Sequence, residues 1–217
     1  VTVPTVAVVT PWRNRHDLMA GYRAALDPAV IGDVNARLVI VDDASDPPVD
    51  GALVRHLEPQ GFTRSCNHGL TYVQLHDFAD RVVFLNSDVE PGPACDGWLR
   101  RLCDAIRPGV LAGAALRFDR HGDVDGHPYP YLDGWCVGGL VDDLVALGGF
   151  DTAYLEPAYY SDNDLCLRAR AAGMELREVH VGLRHLVGQS TPTADRDRAT
   201  VENARRFAEL ARTLAEQ

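Results

Sequence analysis

The feature that most constrains this chain is an alternation. Short apolar, β-branched runs recur through its first half, each stopped by polar residues and followed by a stretch of helical spacing. Val6–Thr10 reads as a buried strand that ends at Pro11. Arg37–Val41 reads as a second, stopped by Asp42–Asp43, and Arg81–Leu85 as a third, closed by Asn86, Ser87 and Asp88. Between and after them the spacing predicts helices over His16–Leu26, Ser65–Ala79 and Trp98–Ile106, then a further strand over Val110–Leu116. Strands alternating with helices build a mainly parallel sheet with helices on its faces. Ligands of such sheets gather beyond the carboxyl ends of the strands. Thr10–Trp12, Asp42–Asp43 and Asn86–Asp88 all fall at those ends, so three strands deliver polar groups to one edge.

The second half is less regular. Phe118–Asp133 is rich in Gly, Asp, His and Pro and reads as an irregular loop or lid. Trp135–Val141 and Asp142–Leu147 form a strand–helix unit closed by Gly148–Gly149. Ser161–Ala172 is a predicted helix with Ser161 or Asp162 as its cap and Gly173 as its stop. Glu175–Val181 is a predicted strand. Over Asp195–Glu216, the residues Val201, Ala204, Phe207, Ala208, Ala211 and Leu214 share one stripe. That is an amphipathic helix, which packs on the domain or pairs with a second copy of the chain.

Charge and cysteine content narrow the partners. The formal net charge is −10, with no basic stripe, which argues against nucleic acid. All 21 basic residues are arginine, so Schiff-base lysine chemistry and a P-loop lysine are excluded. Cys66, Cys95, Cys103, Cys136 and Cys166 are scattered without paired spacing, as expected of reduced thiols in a cytoplasmic protein. No apolar run is long enough to span a bilayer, so any membrane association is expected to be peripheral.

Four groups could carry chemistry. Thr10, Trp12 and Asn14 with Asp42–Asp43 would place an aromatic plate beside a carboxylate, which suits a nucleobase; the alternative is that the two aspartates only end a strand and begin a turn. Asn86, Ser87 and Asp88 could hold Mg²⁺ or Mn²⁺ through hard oxygen ligands, or could simply turn the chain. Asp162 and Asp164 sit in the first turn of a predicted helix, where a carboxylate can take a proton from a hydroxyl. Asp164 can instead pair with Arg168 on the surface. His185 follows a predicted strand and could complete a metal shell at the same edge.

The order of these segments resembles glycosyltransferase family 2 and its GT-A relatives, from about Val6 to Ser190. VAVVTPWRNRHDL resembles the family's first strand and turn, LVIVDDASD its "VVDDGS" segment, and GFTRSCNHGL the segment with a conserved-type Asn, here Asn67. VVFLNSDV stands where the DxD motif belongs, and GGFDTAYLEPAYYSDNDLCLRARAAG resembles the acceptor-side stretch that ends in an "ED" pair. HLVGQS resembles a following "HxxGxS".

The resemblance implies an α/β, GT-A fold: a single Rossmann-like domain with a mainly parallel central sheet flanked by helices. It spans residues 1–194, with a nucleotide-sugar-binding half to about residue 117 and an acceptor half beyond it, and leaves 195–217 as the C-terminal helix. It implies an inverting glycosyltransferase that takes a nucleotide-diphosphate sugar as donor and a hydroxyl-bearing acceptor. Trp12 would stack on the base and Asp43 would read it, with Thr10, Asn14, Asn67, Asn86 and Ser87 lining the donor site. Asp88 and His185 would hold a divalent metal, Mn²⁺ or Mg²⁺. Asp162 would be the catalytic base, and Gly134, Trp135 and Asp164 would face the acceptor. Three positions depart from the family pattern: Asn86 replaces the first Asp of DxD, Ser161 the Glu of the "ED" pair, and Cys66 a frequent Arg. The segment before Ser65 is short, so the family's third strand is expected to be reduced. The departures motivate the alternative of a GT-A domain that binds a nucleotide or glycan without catalysis. A nucleotidyltransferase fits poorly, because Thr10–Arg15 carries no glycine for a triphosphate loop.

Overall fold

The computed structural model describes residues 3–186 and 193–216. Its framework is a seven-stranded sheet. In chain order the strands are β1 (Thr5–Trp12), β2 (Asn35–Asp42), β3 (Val54–Arg55), β4 (Arg81–Leu85), β5 (Val89–Pro91), β6 (Val110–Gly113), β7 (Leu116–Arg117), β8 (Asp123–Val124), β9 (His127–Pro128), β10 (Tyr131–Leu132), β11 (Cys136–Leu140), β12 (Glu175–Glu178) and β13 (Leu183–His185). The helices are α1 (Met19–Ala25), α2 (Pro28–Ile31), α3 (Phe62–Leu75), α4 (Trp98–Ala105), α5 (Val141–Ala146), α6 (Ser161–Ala171) and α7 (Thr193–Ala215).

The main sheet runs in the order β12-β6-β11-β4-β1-β2-β3. Every pairing is parallel except those of β11, which runs antiparallel to both β4 and β6. This is the mainly parallel sheet expected from the alternation of strands and helices. Alternate residues of each central strand enter opposite cores. Val6 and Val8 pack with Tyr22 of α1 and with Trp98 and Leu102 of α4. Ala7 and Val9 pack with Cys66 and Leu70 of α3, Leu144 of α5 and Leu165 of α6. The result is three layers. Helix α3 lies so close to the sheet that a Cβ on Gly69 would sit 2.3 Å from Val9 Cγ1, so only glycine fits there.

Several boundaries differ from the sequence expectation. Strand β1 continues through Pro11 to Trp12, because the missing N–H of Pro11 falls on the β4 side, where pairing has already stopped at Val9. Helix α3 starts at Phe62 rather than at Ser65. Its start is fixed by distant carboxylates: Asp43 accepts from the Gln60 and Gly61 N–H groups, and Glu156 Oε1 lies 3.5 Å from the Thr63 N–H. Helix α6 is capped neither by Ser161 nor by Asp162. Tyr160, with φ 73°, precedes its first turn, and no side chain caps it. Part of the expected irregular loop forms paired strands, β8 with β9 and β10 with β7. Strand β3 has two residues, a reduced third strand.

Helix α7 packs against α6 within its own domain, with Phe207 and Ala211 buried against Tyr154 and Leu167. Val201, placed on the apolar stripe by its spacing, is 54% exposed, and Asn203 is buried instead. All five cysteines are free and buried. Among the described residues no helix is long and apolar enough to cross a membrane.

Candidate active site

The first part of the site forms at the carboxyl end of β4. Beyond Leu85 the chain turns through Asn86, Ser87 and Asp88 into β5. Strand β5 pairs antiparallel with β13, with Val89 opposite His185. That register brings His185 Nε2 to 3.2 Å from Asp88 Oδ1 and 3.4 Å from Asn86 Nδ2. The Leu186 N–H donates to the Asp88 carbonyl at 2.8 Å and locks the pairing. Asp88 is buried, whereas Asn86, Ser87 and His185 are partly exposed. A buried carboxylate, an imidazole and an amide thus converge where the sequence placed a metal and diphosphate site. Residues 187–190 of the HLVGQS stretch lie outside the described residues.

The second part is built on α6. Asp162 is half-buried in the first turn. Its Oδ2 accepts from the Gly134 N–H at 2.9 Å, and its Oδ1 from the Asn163 N–H at 3.1 Å. Burial raises its carboxyl to about 6, and the nearby Asp133 charge pushes the same way; the two backbone donors only partly offset this. Gly134 presses on the carboxylate so closely that an added Cβ would sit 3.1 Å from Asp162 Cβ.

Gly134 and Trp135 join the two parts. Strand β11 pairs Cys136 with Leu85, so Trp135 lies beside Asn86, whose N–H donates to the Trp135 carbonyl at 2.8 Å. The Trp135 ring stacks on His185, with centroids 5.0 Å apart and planes 13° from parallel. One dipeptide therefore contacts Asp162 through its first residue and Asn86 and His185 through its second.

Other residues expected in the site are occupied with holding the fold. Trp12 is 1% exposed and packs edge-on against Tyr22, so it offers no face to a nucleobase. The cause is the extra length of β1, which turns Trp12 into the core that holds Val6 and Val8. Thr10 is buried, with its hydroxyl 2.6 Å from that of Tyr22. Asp43 accepts from His56 Nδ1 at 2.7 Å as well as from Gln60 and Gly61, so its buried carboxylate organises the start of α3. Asp42 receives the Ser45 and Val49 N–H groups, the turn-forming role weighed for this pair. Asn14, with φ 61°, ties its loop to the next through Ser45 Oγ and the Asp46 N–H. Asn67 spends its amide on both the N–H and the carbonyl of Phe150. Asp164 does pair with Arg168, at 2.6 Å, but in the interior, where it also accepts from the Tyr154 hydroxyl. It does not face an acceptor.

Two contributors escaped the sequence reading. Arg15, in the turn that follows β1, is held by Asp17 at 2.7 Å, which is the main cause that raises the pKa of its guanidinium. Its place after Trp12-Arg13-Asn14, at the carboxyl edge, was the available signal. Asn203 of α7 brackets Leu155, accepting from its N–H and donating to its carbonyl, both at 2.8 Å. Nothing local marks that residue. A cavity of about 760 Å³ opens elsewhere, at the amino ends of β1 and β4 beside Thr5, Arg37 and Arg81. Its Arg81 and Arg100 already pair with Asp80 and Asp104, and it is lined by none of the residues above.

No protein-family model matches the chain, and no curated protein matches it either. Solved structures share its fold. One is a mannosyltransferase from Pyrobaculum calidifontis in complex with GDP-Man and Mn²⁺: it is 20% identical, with a TM-score of 0.67, over 98% of this chain. The chain spans 65% of the length of that structure. Another is the catalytic domain of a Drosophila β1,4-galactosyltransferase 7 in complex with xylobiose, 13% identical, with a TM-score of 0.60 over 91% of this chain and 79% of that one. The architecture is thus the GT-A type that the motif order implied.

Proposed function

We propose that this protein is an inverting glycosyltransferase that moves a sugar from a nucleoside-diphosphate sugar to an acceptor hydroxyl. The observation that carries the reading is the link through Gly134 and Trp135, which couples a carboxylate of raised pKa to a carboxylate–imidazole–amide cluster at the carboxyl edge of the sheet. Of the solved structures that share the fold, one holds GDP-Man and Mn²⁺ and another xylobiose, which is in keeping with it.

The cluster suits a divalent cation. Among the described residues no three His, Cys, Asp or Glu side chains gather into a closed metal cage. Mg²⁺ and Mn²⁺ in nucleotide sites need none, because one or two protein ligands suffice when phosphate oxygens and water fill the rest. Asp88 and His185 would be those ligands, with the Asn86 amide oxygen beside them once the amide is turned. An ion bound there supplies positive charge against a departing diphosphate.

The chain's own groups do the rest. Asn86 and Ser87, partly exposed beside Asp88, would line the diphosphate side. Asp162 is ionised near neutral pH and accepts the acceptor's hydroxyl proton as the oxygen attacks the anomeric carbon. The bond from that carbon to the diphosphate oxygen breaks with its electron pair leaving on the nucleotide, so the configuration inverts. The Gly134 N–H holds the carboxylate in place through Oδ2.

The direct test is Asp162→Asn in a transfer assay with a panel of nucleotide sugars. The expected result is loss of turnover by at least about a thousandfold with nucleotide affinity retained. Undiminished turnover removes Asp162 as base. Wild-type protein that binds nucleotide tightly but transfers no sugar supports the non-catalytic binding domain instead.

A further inference from the structure

We infer that Trp135 is a positioning residue for His185, fixing the plane of its imidazole so that Nε2 faces Asp88, and that it does not serve as the acceptor platform its place in the sequence suggested. The inference rests on the metal-binding reading of the Asp88–His185 cluster given above.

An imidazole needs a fixed ring plane to present a nitrogen lone pair, and its ring torsion is intrinsically soft. Metal-binding histidines usually obtain that plane from a hydrogen bond at the second ring nitrogen. Among the described residues nothing hydrogen-bonds His185 Nδ1, and the contacts of this side chain run through Nε2 to Asp88 and Asn86. What touches the ring itself is Trp135, 5.0 Å away between centroids and 13° from parallel. The face of an indole holds a neighbouring ring in one plane while leaving it free to slide, which is the kind of constraint that an orienting hydrogen bond supplies.

The plate is itself anchored. The Trp135 carbonyl takes the Asn86 N–H, and its ring packs on the core that holds Trp98, Leu85 and Val89. Trp135 is thereby in register with the strand that leads into Asn86 and Asp88. The imidazole is referenced to the carboxylate it must work with through two short links, one a hydrogen bond and one a stack.

The experiment compares the wild type with Trp135→Phe, Trp135→Leu and His185→Ala. Mn²⁺ is titrated in the presence of UDP, GDP or dTDP, and free Mn²⁺ is followed by electron paramagnetic resonance. Acceptor KM is measured separately. Leu removes the ring while filling much of its volume, and Phe keeps a smaller ring. The expected result is a loss of Mn²⁺ affinity of about tenfold or more in Trp135→Leu, the range for removing an orienting partner of a metal-binding histidine. Trp135→Phe should recover most of it, and acceptor KM should stay constant. Mn²⁺ should also quench tryptophan emission in the wild type and much less in Trp135→Phe, because Trp12 and Trp98 lie in the core.

An unchanged Mn²⁺ affinity in Trp135→Leu, with acceptor KM raised, overturns the inference and restores Trp135 as an acceptor platform. No Mn²⁺ binding by the wild type with any of the three nucleotides removes the metal reading itself, and this inference with it. That failure is distinct, because it appears before any variant is made.

Discussion

Asp162 Oδ2 and the backbone N–H of Gly134 lie 2.9 Å apart, and the same glycine leaves little room for a side chain against the carboxylate. The donor comes from the turn before β11 and the acceptor from the first turn of α6. The proposed base is therefore held by a backbone donor on a separate element. The residue following that donor supports His185 and Asn86.

Gly134→Ala tests the fit. The new Cβ would sit 3.1 Å from Asp162 Cβ and 3.3 Å from its Oδ2, so the carboxylate must move by a few tenths of an ångström or more. Turnover is expected to fall by roughly ten- to a hundredfold, the scale of small misplacements in an active site. Nucleotide affinity should be unchanged. Steady-state kinetics beside a nucleotide titration separate the two effects.

The raised carboxyl of Asp162 sets a pH dependence for activity and for stability. As a base it must be ionised, so kcat/KM should fall with unit slope below pH about 6 and level off above it. Stability runs the other way. The folded state holds this proton more tightly than the unfolded chain, whose Asp titrates near 3.8. The stabilising contribution is therefore fully present below pH 3.8 and is lost as pH rises through about 6. Asp162→Asn lacks that loss, so its stability relative to the wild type should improve between pH 4 and pH 7, by on the order of 1–2 kcal/mol. Urea unfolding at those two pH values measures it; a difference that moves the opposite way contradicts the assignment.

Asn203 clamps the loop that leads into α6. Its amide satisfies both backbone groups of Leu155, while Arg206 beside it pairs with Asp151 at 2.6 Å. Asn203→Ala should cost about 1–2 kcal/mol through two unmade hydrogen bonds. Asn203→Asp keeps the acceptor for the Leu155 N–H but sets a buried carboxylate oxygen against the Leu155 carbonyl, and should cost more than Ala near neutral pH. Denaturant midpoints of the two variants give the order.

Trp12 separates the observed packing from the motif. Its ring is buried and its Nε1 has no hydrogen-bond partner among the described residues. Trp12→Phe removes that unpaired donor, which offsets part of the lost packing, and it should leave nucleotide affinity within about twofold of the wild type. Trp12→Ala should destabilise by about 3–5 kcal/mol. A tenfold loss of nucleotide affinity in the well-folded Phe variant would restore the ring as a base platform.

Much of this architecture was legible in the sequence, because strands buried on both faces have few alternatives. The runs at Val6, Val39 and Val82 had to be central, and the polar residues that stop them had to emerge at one edge. The position of Asp162 in the first turn of a helix was legible from the sequence. The contacts that the sequence did not show are those made to partners far along the chain. Asn67 looked like a ligand residue because nothing local shows that Phe150 will claim its amide. Asp43 looked available because Gln60 and Gly61 reach it only once α3 has formed. The approach of His185 to Asp88 depends on two three-residue strands, β5 and β13, too short to carry a periodic signal. Trp12 was misplaced by a single expectation, that Pro11 ends the strand. Proline ends a strand only where its N–H is needed, and here it faces a side on which pairing had already ceased.

The most direct measurement of the central claim is calorimetric titration of the wild type and Asp88→Asn with UDP, GDP and dTDP, each with and without Mn²⁺. The account expects one nucleotide to bind the wild type in a Mn²⁺-dependent manner, with that dependence lost in Asp88→Asn. Binding of none of the three, or binding indifferent to both Mn²⁺ and Asp88, would contradict it.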